Sequence, residues 1–284
     1  MREAADNLGV GVRRSGRVLP GFGLTMGTTL LYLGLVVLVP IGALCMRAGE
    51  LDWGEFRALA LNERALAAYR LTFGSSFLAA LINAVFGTVV AWVLVRYQFP
   101  GRRFLDALVD FPFALPTAVA GLTLADLFSG GGWLGRFLVP WGFEGAYTRA
   151  GVVLVLTFVG LPFVVRTLQP VLAGFEGDVE EAAATLGAGR VRTFFTVVMP
   201  TLLPAVLTGF ALAFARAIGE YGSVIFIAGN APFRTEIAPL LVVIRLEEFN
   251  TLGAVAISMV LLVISFVLLA GVNVVERWAS RIAR

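Results

Sequence analysis

Residues 249–275 read FNTLGAVAISMVLLVISFVLLAGVNVV, 27 consecutive positions without a charge. About 20 apolar residues of helix cross the hydrocarbon core of a bilayer, so this stretch by itself takes the chain out of water. Outward from it lie three more uncharged runs of spanning length, at 24–46, 71–95 and 193–215. Two further runs are interrupted: 104–128 holds Asp106, Asp110 and Asp126, and 150–172 holds Arg166. Pro200 and Pro204 suit an interfacial helix start, which places the fifth crossing at about 202–227. The expected chain is therefore an all-α polytopic membrane protein with six transmembrane helices, near 24–46, 71–95, 104–128, 150–172, 202–227 and 250–275. They make one membrane domain, 20–276, between a segment 1–19 and a tail 277–284.

Composition agrees and removes many chemistries. Hydrophobic residues make up 58% of the chain and charged residues 14%, where a soluble domain carries about 25% charged. His is absent, and all 22 basic residues are Arg. Without Lys there is neither a Walker phosphate loop nor a Schiff base. Without His there is no Ser-His-Asp or Cys-His nucleophile pair and no HExxH zinc site. Cys45, alone in an apolar run, supports no internal disulfide or cysteine cluster and reads as small apolar filler. No catalytic residue, metal or cofactor is expected. A net charge of +3 invites a nucleic-acid reading, but the arginines are scattered singly between apolar runs, which excludes that partner and leaves the lipid bilayer.

The arginines carry topological information instead. Arg13, Arg14 and Arg17 precede an apolar run too long for a signal peptide, so the first helix is expected to be retained. With the N-terminus in the cytoplasm, inner segments hold 12 arginines and outer loops 7, leaving Arg70, Arg166 and Arg216 at or within the spans. This places both termini in the cytoplasm. Pro112, Pro116, Pro162 and Pro170 fall inside helices three and four, as packing kinks or as hinges of a pathway. Gly74, Gly87, Gly121, Gly209 and Gly219 are expected to allow close helix packing. Residues 129–132 (SGGG) lack a following Lys and read as a turn.

Between helices four and five, residues 177–190 read GDVEEAAATLGAGR. Asp178 can cap a short helix with Glu180 and Glu181 in its first turn. The alanines at 182–184 extend it, and Gly187 or Gly189 stops it in a left-handed cap. A second helix over 190–199 then leads to Pro200. The pair is too polar and too short to cross a membrane, and reads as a cytoplasmic helix-turn-helix facing a partner.

Glu181-Ala182-Ala183, then Gly187, then Val197-Val198-Met199-Pro200 resembles the EAA loop of ATP-binding-cassette importer permeases: EAA, three residues, Gly, nine residues, I-x-L-P. Val197 and Met199 stand where the pattern has Ile and Leu. Residues 19–25 (LPGFGLT), 96–102 (RYQFPGR), 106–124 (DALVDFPFALPTAVAGLTL), 162–167 (PFVVRT) and 219–230 (GEYGSVIFIAGN) look like the T-type permease subunit of bacterial sulfate/thiosulfate importers. Molybdate permeases and the W-type sulfate subunit share parts of these motifs. The resemblance implies a type I ABC importer permease-like fold in the bacterial inner membrane. Its implied partners are a cytoplasmic ATP-binding subunit dimer, a second permease of W-type in a heterodimer, and a periplasmic sulfate-binding protein. It assigns Glu181, Ala182, Ala183, Gly187 and Pro200, within a coupling loop at 176–200, to docking the ATPase. A molybdate-type permease acting as a homodimer is the alternative.

Charges inside spans are functional candidates, because a mid-span Arg costs about 2.5 kcal/mol or more. Arg216 and Glu220 are four apart on helix five and share a face. They form either an internal ion pair that fixes packing or a translocation-pathway site, Arg216 attracting an oxyanion and Glu220 limiting its hold. Arg166 is placed to snorkel to the cytoplasmic interface. Asp106 and Asp110 occupy one face and can pair with Arg102 or Arg103. As an intramembrane enzyme the chain would need opposing partners for Asp106, Asp110 and Glu220, and an ion-driven secondary transporter would need no ATPase dock.

Overall fold

The computed structural model describes residues 22–175 and 177–282 and, within these, the side chains of all but 177, 178, 276 and 278–282. The segment 1–19, the cap expected from Asp178 and the last residues of the tail lie outside the described set.

The chain divides into two units, 1–50 and 51–284. The described part of the first is one apolar helix, α1 (Phe22–Gly49), whose central turn, Gly34–Leu38, is a π-helix. None of its residues is buried, and Cys45 is exposed on it. Its exposed surface is apolar apart from three threonines near the start and Arg47 in the last turn, as suits a helix whose solvent is lipid.

In the second unit a short helix, α2 (Trp53–Ala60), begins at Asp52, whose carboxylate accepts the Gly54 N–H at 3.1 Å. The long α3 (Glu63–Arg96) begins at Asn62, whose Oδ1 accepts from Ala65 N at 2.9 Å. Next come α4 (Arg102–Val109), α5 (Phe111–Ala114), α6 (Thr117–Phe128) and α7 (Gly135–Leu138). After these, α8 (Arg149–Ala173) is capped by Thr148, which accepts from Gly151 N. The segment expected to dock an ATPase contains α9 (Gly177–Thr185), and α10 (Arg190–Ile218) follows with a π turn at Phe194–Val198. The chain closes with α11 (Val224–Ile227), α12 (Ala238–Glu247) and α13 (Thr251–Ile282).

Five of these helices, α1, α3, α8, α10 and α13, are long and apolar enough to cross a membrane. The third expected span, 104–128, is broken into α4, α5 and α6. Pro112 starts α5 and Pro116 caps α6 with extended backbone, so the two prolines end helical hydrogen bonding where their missing donors require it. Helix α8, by contrast, runs unbroken through Pro162 and Pro170. The fifth expected span is displaced. Helix α10 begins twelve residues before Leu202, is continuous through Pro200 and Pro204, and stops at Ile218 rather than 227. The expected separate helix 190–199 is thus the first part of this same rod. The π turn just ahead of Pro200 shifts the backbone register where that residue has no N–H to donate.

Helix α8 is the centre of the unit and packs between α3 and α10. Val164, Val165, Leu168 and Leu172 of α8 are buried with Leu94 of α3 and with Val198, Leu202 and Phe214 of α10. Two glycines permit that approach: a Cβ at Gly87 of α3 would sit 2.9 Å from Val164 Cγ1, and one at Gly209 of α10 would sit 2.9 Å from Val164 Cα. Gly121 likewise lies against the backbone of Ser223. Gly74 and Gly219 do not serve packing: a Cβ at either meets nothing within 4 Å. Thr72 Oγ1 donates to Ala68 O and Thr88 Oγ1 to Ala84 O along their own helix, whereas the buried Tyr69 and Ser76 hydroxyls on the same helix have no partner among the described residues. At the start of α3, Arg64 makes a two-bonded pair with the buried Glu236, at 2.8 and 2.6 Å. Thr72 Oγ1 also accepts from Ala238 N, which fixes the first turn of α12.

Candidate functional site

The segment that resembles an EAA loop is built by its alanines and one glycine. Ala182, Ala183 and Ala184 carry α9 to Thr185, and Gly187 has φ +81°, a left-handed conformation that costs any other L-residue except Asn or Asp heavily. Gly187 N donates to Ala184 O at 2.9 Å and Ala188 N to Ala183 O at 3.0 Å. This crossed pair is a Schellman cap, and it satisfies carbonyls the helix end leaves open. Of the two candidate stop glycines, Gly187 is therefore the cap, while Gly189, with extended backbone, starts α10. The turn holds Leu186 outward, 88% exposed.

A charge pins α9 to the transmembrane body. Arg96, the last residue of α3, donates from Nη2 to Glu180 Oε1 at 2.5 Å. Its guanidinium lies over the rings of Trp92 and Phe175, 5.1 and 5.5 Å from their centroids. Glu180, next to the EAA triplet, thus joins the end of one long helix to the short one. Sequence spacing did not suggest this pair, because its partners are 84 residues apart.

At the far end of α10, Arg216 and Glu220 form an ion pair, Nη1 to Oε2 at 2.5 Å, and Glu220 is buried. Glu220 Oε1 also accepts from Ser223 N and Ser223 Oγ, at 2.9 and 2.8 Å. With α10 ending at Ile218, the pair lies at a helix terminus and not mid-span. A cation in a last helical turn is favoured there by the helix dipole.

The expected partners of Asp106 and Asp110 are corrected. Neither is hydrogen-bonded to Arg102 or Arg103; both bind Arg166. Arg166 Nε and Nη2 hold the two oxygens of Asp110 at 2.8 and 2.6 Å. Its Nη1 donates to Asp106 Oδ1 at 2.7 Å and to Gln169 Oε1 at 2.6 Å, and its Nη2 also donates to Asp106 O. All five guanidinium donors are used. The cluster ties α4 and the start of the broken segment to α8.

Five helices long and apolar enough to cross a membrane, with the short capped α9 between two of them, define a polytopic α-helical membrane protein. Residues 83–281 match the model of the binding-protein-dependent transport system inner membrane component family, and the chain belongs to that family. It is 48% identical over 269 residues to the sulfate transport system permease protein CysT of Salmonella typhimurium, covering 94% of this chain and 97% of that one. The Escherichia coli protein of the same name matches with the same identity and coverage. That of Synechocystis is 49% identical over 255 residues, 90% of this chain and 89% of the relative. Among solved structures, the bacterial ABC transporter that imports alginate superposes with a TM-score of 0.73 at 15% identity, over 90% of this chain and 94% of that chain. The MetNI methionine ABC transporter gives 0.51 at 16% identity, over 78% and 99%. The fold is that of ABC importer permeases, and the chain is a transport component rather than an enzyme.

Proposed function

We propose that the chain is the T-type permease subunit of an importer that moves sulfate or thiosulfate into the cell. Lacking any lysine to hold ATP phosphates, it takes its energy from a cytoplasmic ATP-binding subunit dimer that docks on α9. Glu181, Ala182, Ala183 and Gly187 form the docking helix and its cap, and Pro200 lies in the rod that leaves it. The observation that carries this reading is the Schellman-capped α9, tied to α3 through Arg96 and presenting Leu186 outward. Its identity with the sulfate permeases over nearly the whole chain supports the anion. A W-type second permease and a periplasmic sulfate-binding protein complete the assembly. The arginine distribution supports a cytoplasmic position for both termini and α9, and the broken segment 102–128 supplies the sixth crossing. Arg216, held by Glu220, stands at the outer end of the pathway.

The test is purification of the intact assembly, identification of its subunits, and uptake of labelled sulfate into vesicles loaded with ATP. Sulfate uptake that requires internal ATP is expected. Molybdate uptake by an assembly with two copies of this chain would replace the reading. Unchanged sulfate uptake in Arg216→Gln would remove the pathway role of that residue.

A further inference from the structure

Arg70 is an arginine that the functions above leave unused. It lies seven residues into α3, about 10 Å from the start of that helix at 1.5 Å per residue. It makes no ion pair or hydrogen bond among the described residues. Arg70 lines a depression of about 460 Å³ between α3 and the start of α8, together with Gly74, Ser75, Arg149 and Phe233. Arg149, first residue of α8, donates only to backbone carbonyls, those of Arg234 at 2.8 Å and Phe233 at 3.3 Å, so its charge has no carboxylate partner. No acidic residue lines the depression. The nearest acid along the loop, Glu236, is committed to Arg64.

Two uncompensated guanidinium groups therefore face one open hollow beside a membrane helix. Its volume admits a tetrahedral anion and several waters, at about 30 Å³ each. The absence of a side chain at Gly74 keeps the wall open, since a Cβ there would meet no atom within 4 Å. Arg70 is separated from Arg96, where α9 is anchored, by 26 residues of one helix, about 39 Å. The hollow thus lies at the end of the bundle remote from the coupling turn, which is the side from which an imported solute arrives.

We propose that this depression is a docking site for a doubly charged tetrahedral oxyanion, bound between Arg70 and Arg149 as it enters the permease. The inference rests on the import reading above. A cleft lined by one sign of charge raises the local concentration of its counter-ion by about tenfold or more, and bidentate guanidinium groups suit the oxygens of such an anion. A lipid phosphate offers the same chemistry, so the experiment separates the two sources.

The intact complex carrying Cys45→Ser and Gly74→Cys is placed in phosphatidylcholine nanodiscs and labelled with an anionic or a cationic methanethiosulfonate. The anionic reagent is expected to react about tenfold faster than the cationic one. Sodium sulfate should slow it well beyond the screening effect of sodium chloride at equal ionic strength. Arg70→Gln with Arg149→Gln should abolish both effects, and Arg70→Lys with Arg149→Lys should keep the charge preference, which separates lost charge from lost fold. Absence of sulfate protection overturns the proposal. So does labelling that is slow only in discs containing phosphatidylglycerol and indifferent to sulfate, because a headgroup then fills the hollow. Sulfate protection in a complex that imports no sulfate would sink the import reading and leave the site standing.

Discussion

Replacing Arg166 with leucine tests the cluster that fastens the broken segment to α8. The guanidinium makes three contacts to carboxylate oxygens, two to Asp110 and one to Asp106, at 2.6–2.8 Å. A hydrogen bond to a charged group is worth about 1.5–3 kcal/mol net, but these side chains are 32% (Arg166), 42% (Asp106) and 49% (Asp110) exposed, and screening takes away roughly half. In Arg166→Leu, Asp110 loses both contacts, Asp106 keeps only Gln169 Nε2 at 2.8 Å, and two like charges stand one helical turn apart. The expected loss is about 2–4 kcal/mol. Most of it comes from orphaned carboxylates, so adding Asp106→Asn and Asp110→Asn to Arg166→Leu should restore at least half. Unfolding of the purified complex in a graded series of denaturing detergent gives the free energies, and the single, double and triple variants close the cycle. A single variant within about 0.5 kcal/mol of the parent, or a triple variant no better than the single, would refute the reasoning.

Three further outcomes are expected. Gly187→Val places a β-branched residue at φ +81°, a local cost of about 1–2 kcal/mol, and should stop ATP-driven uptake without lowering the amount of chain in the membrane; Gly187→Asn should retain most of it, and equal uptake by both would argue against the cap. Gly209→Leu forces a side chain onto the Val164 backbone and should destabilise the bundle by about 1–3 kcal/mol, whereas Gly74→Ala, meeting nothing, should gain up to about 1 kcal/mol, both read by the same detergent titration. Glu236→Gln should cost about 1–3 kcal/mol, since Arg64 loses its charged partner while only 26% exposed, and should expose the 228–237 loop to protease before the rest of the chain opens.

How far the sequence reaches depends on the range of the interaction. The uncharged runs identify α1, α3, α8, α10 and α13 because bilayer thickness imposes a length on each. Boundaries are less legible. Helix α3 starts at Glu63 and not 71, since Glu63, Arg64 and Arg70 lower its apparent hydropathy while Asn62 caps it. Proline misleads at 200 and informs at 116: a π turn absorbs the first, whereas no such turn precedes the second. The Arg216–Glu220 pair was readable because four residues make one helical turn. The Arg166 cluster was not, since its partners are 56 and 60 residues away, and a single sequence has no period at that distance. The cap at Gly187 falls between, legible as one of two glycines and decided by backbone geometry.

The continuity of α10 has a mechanical consequence. Its 29 residues run from Arg190, just past the Gly187 turn, to Ile218, about 43 Å of one rod. Rotated by about 10° about its end at Arg190, such a rod sweeps its far tip through about 7 Å. On the docking proposed above, a modest push at Arg190 is geared up into a displacement wider than a dehydrated anion, and the π turn at Phe194–Val198 sits near that end of the lever.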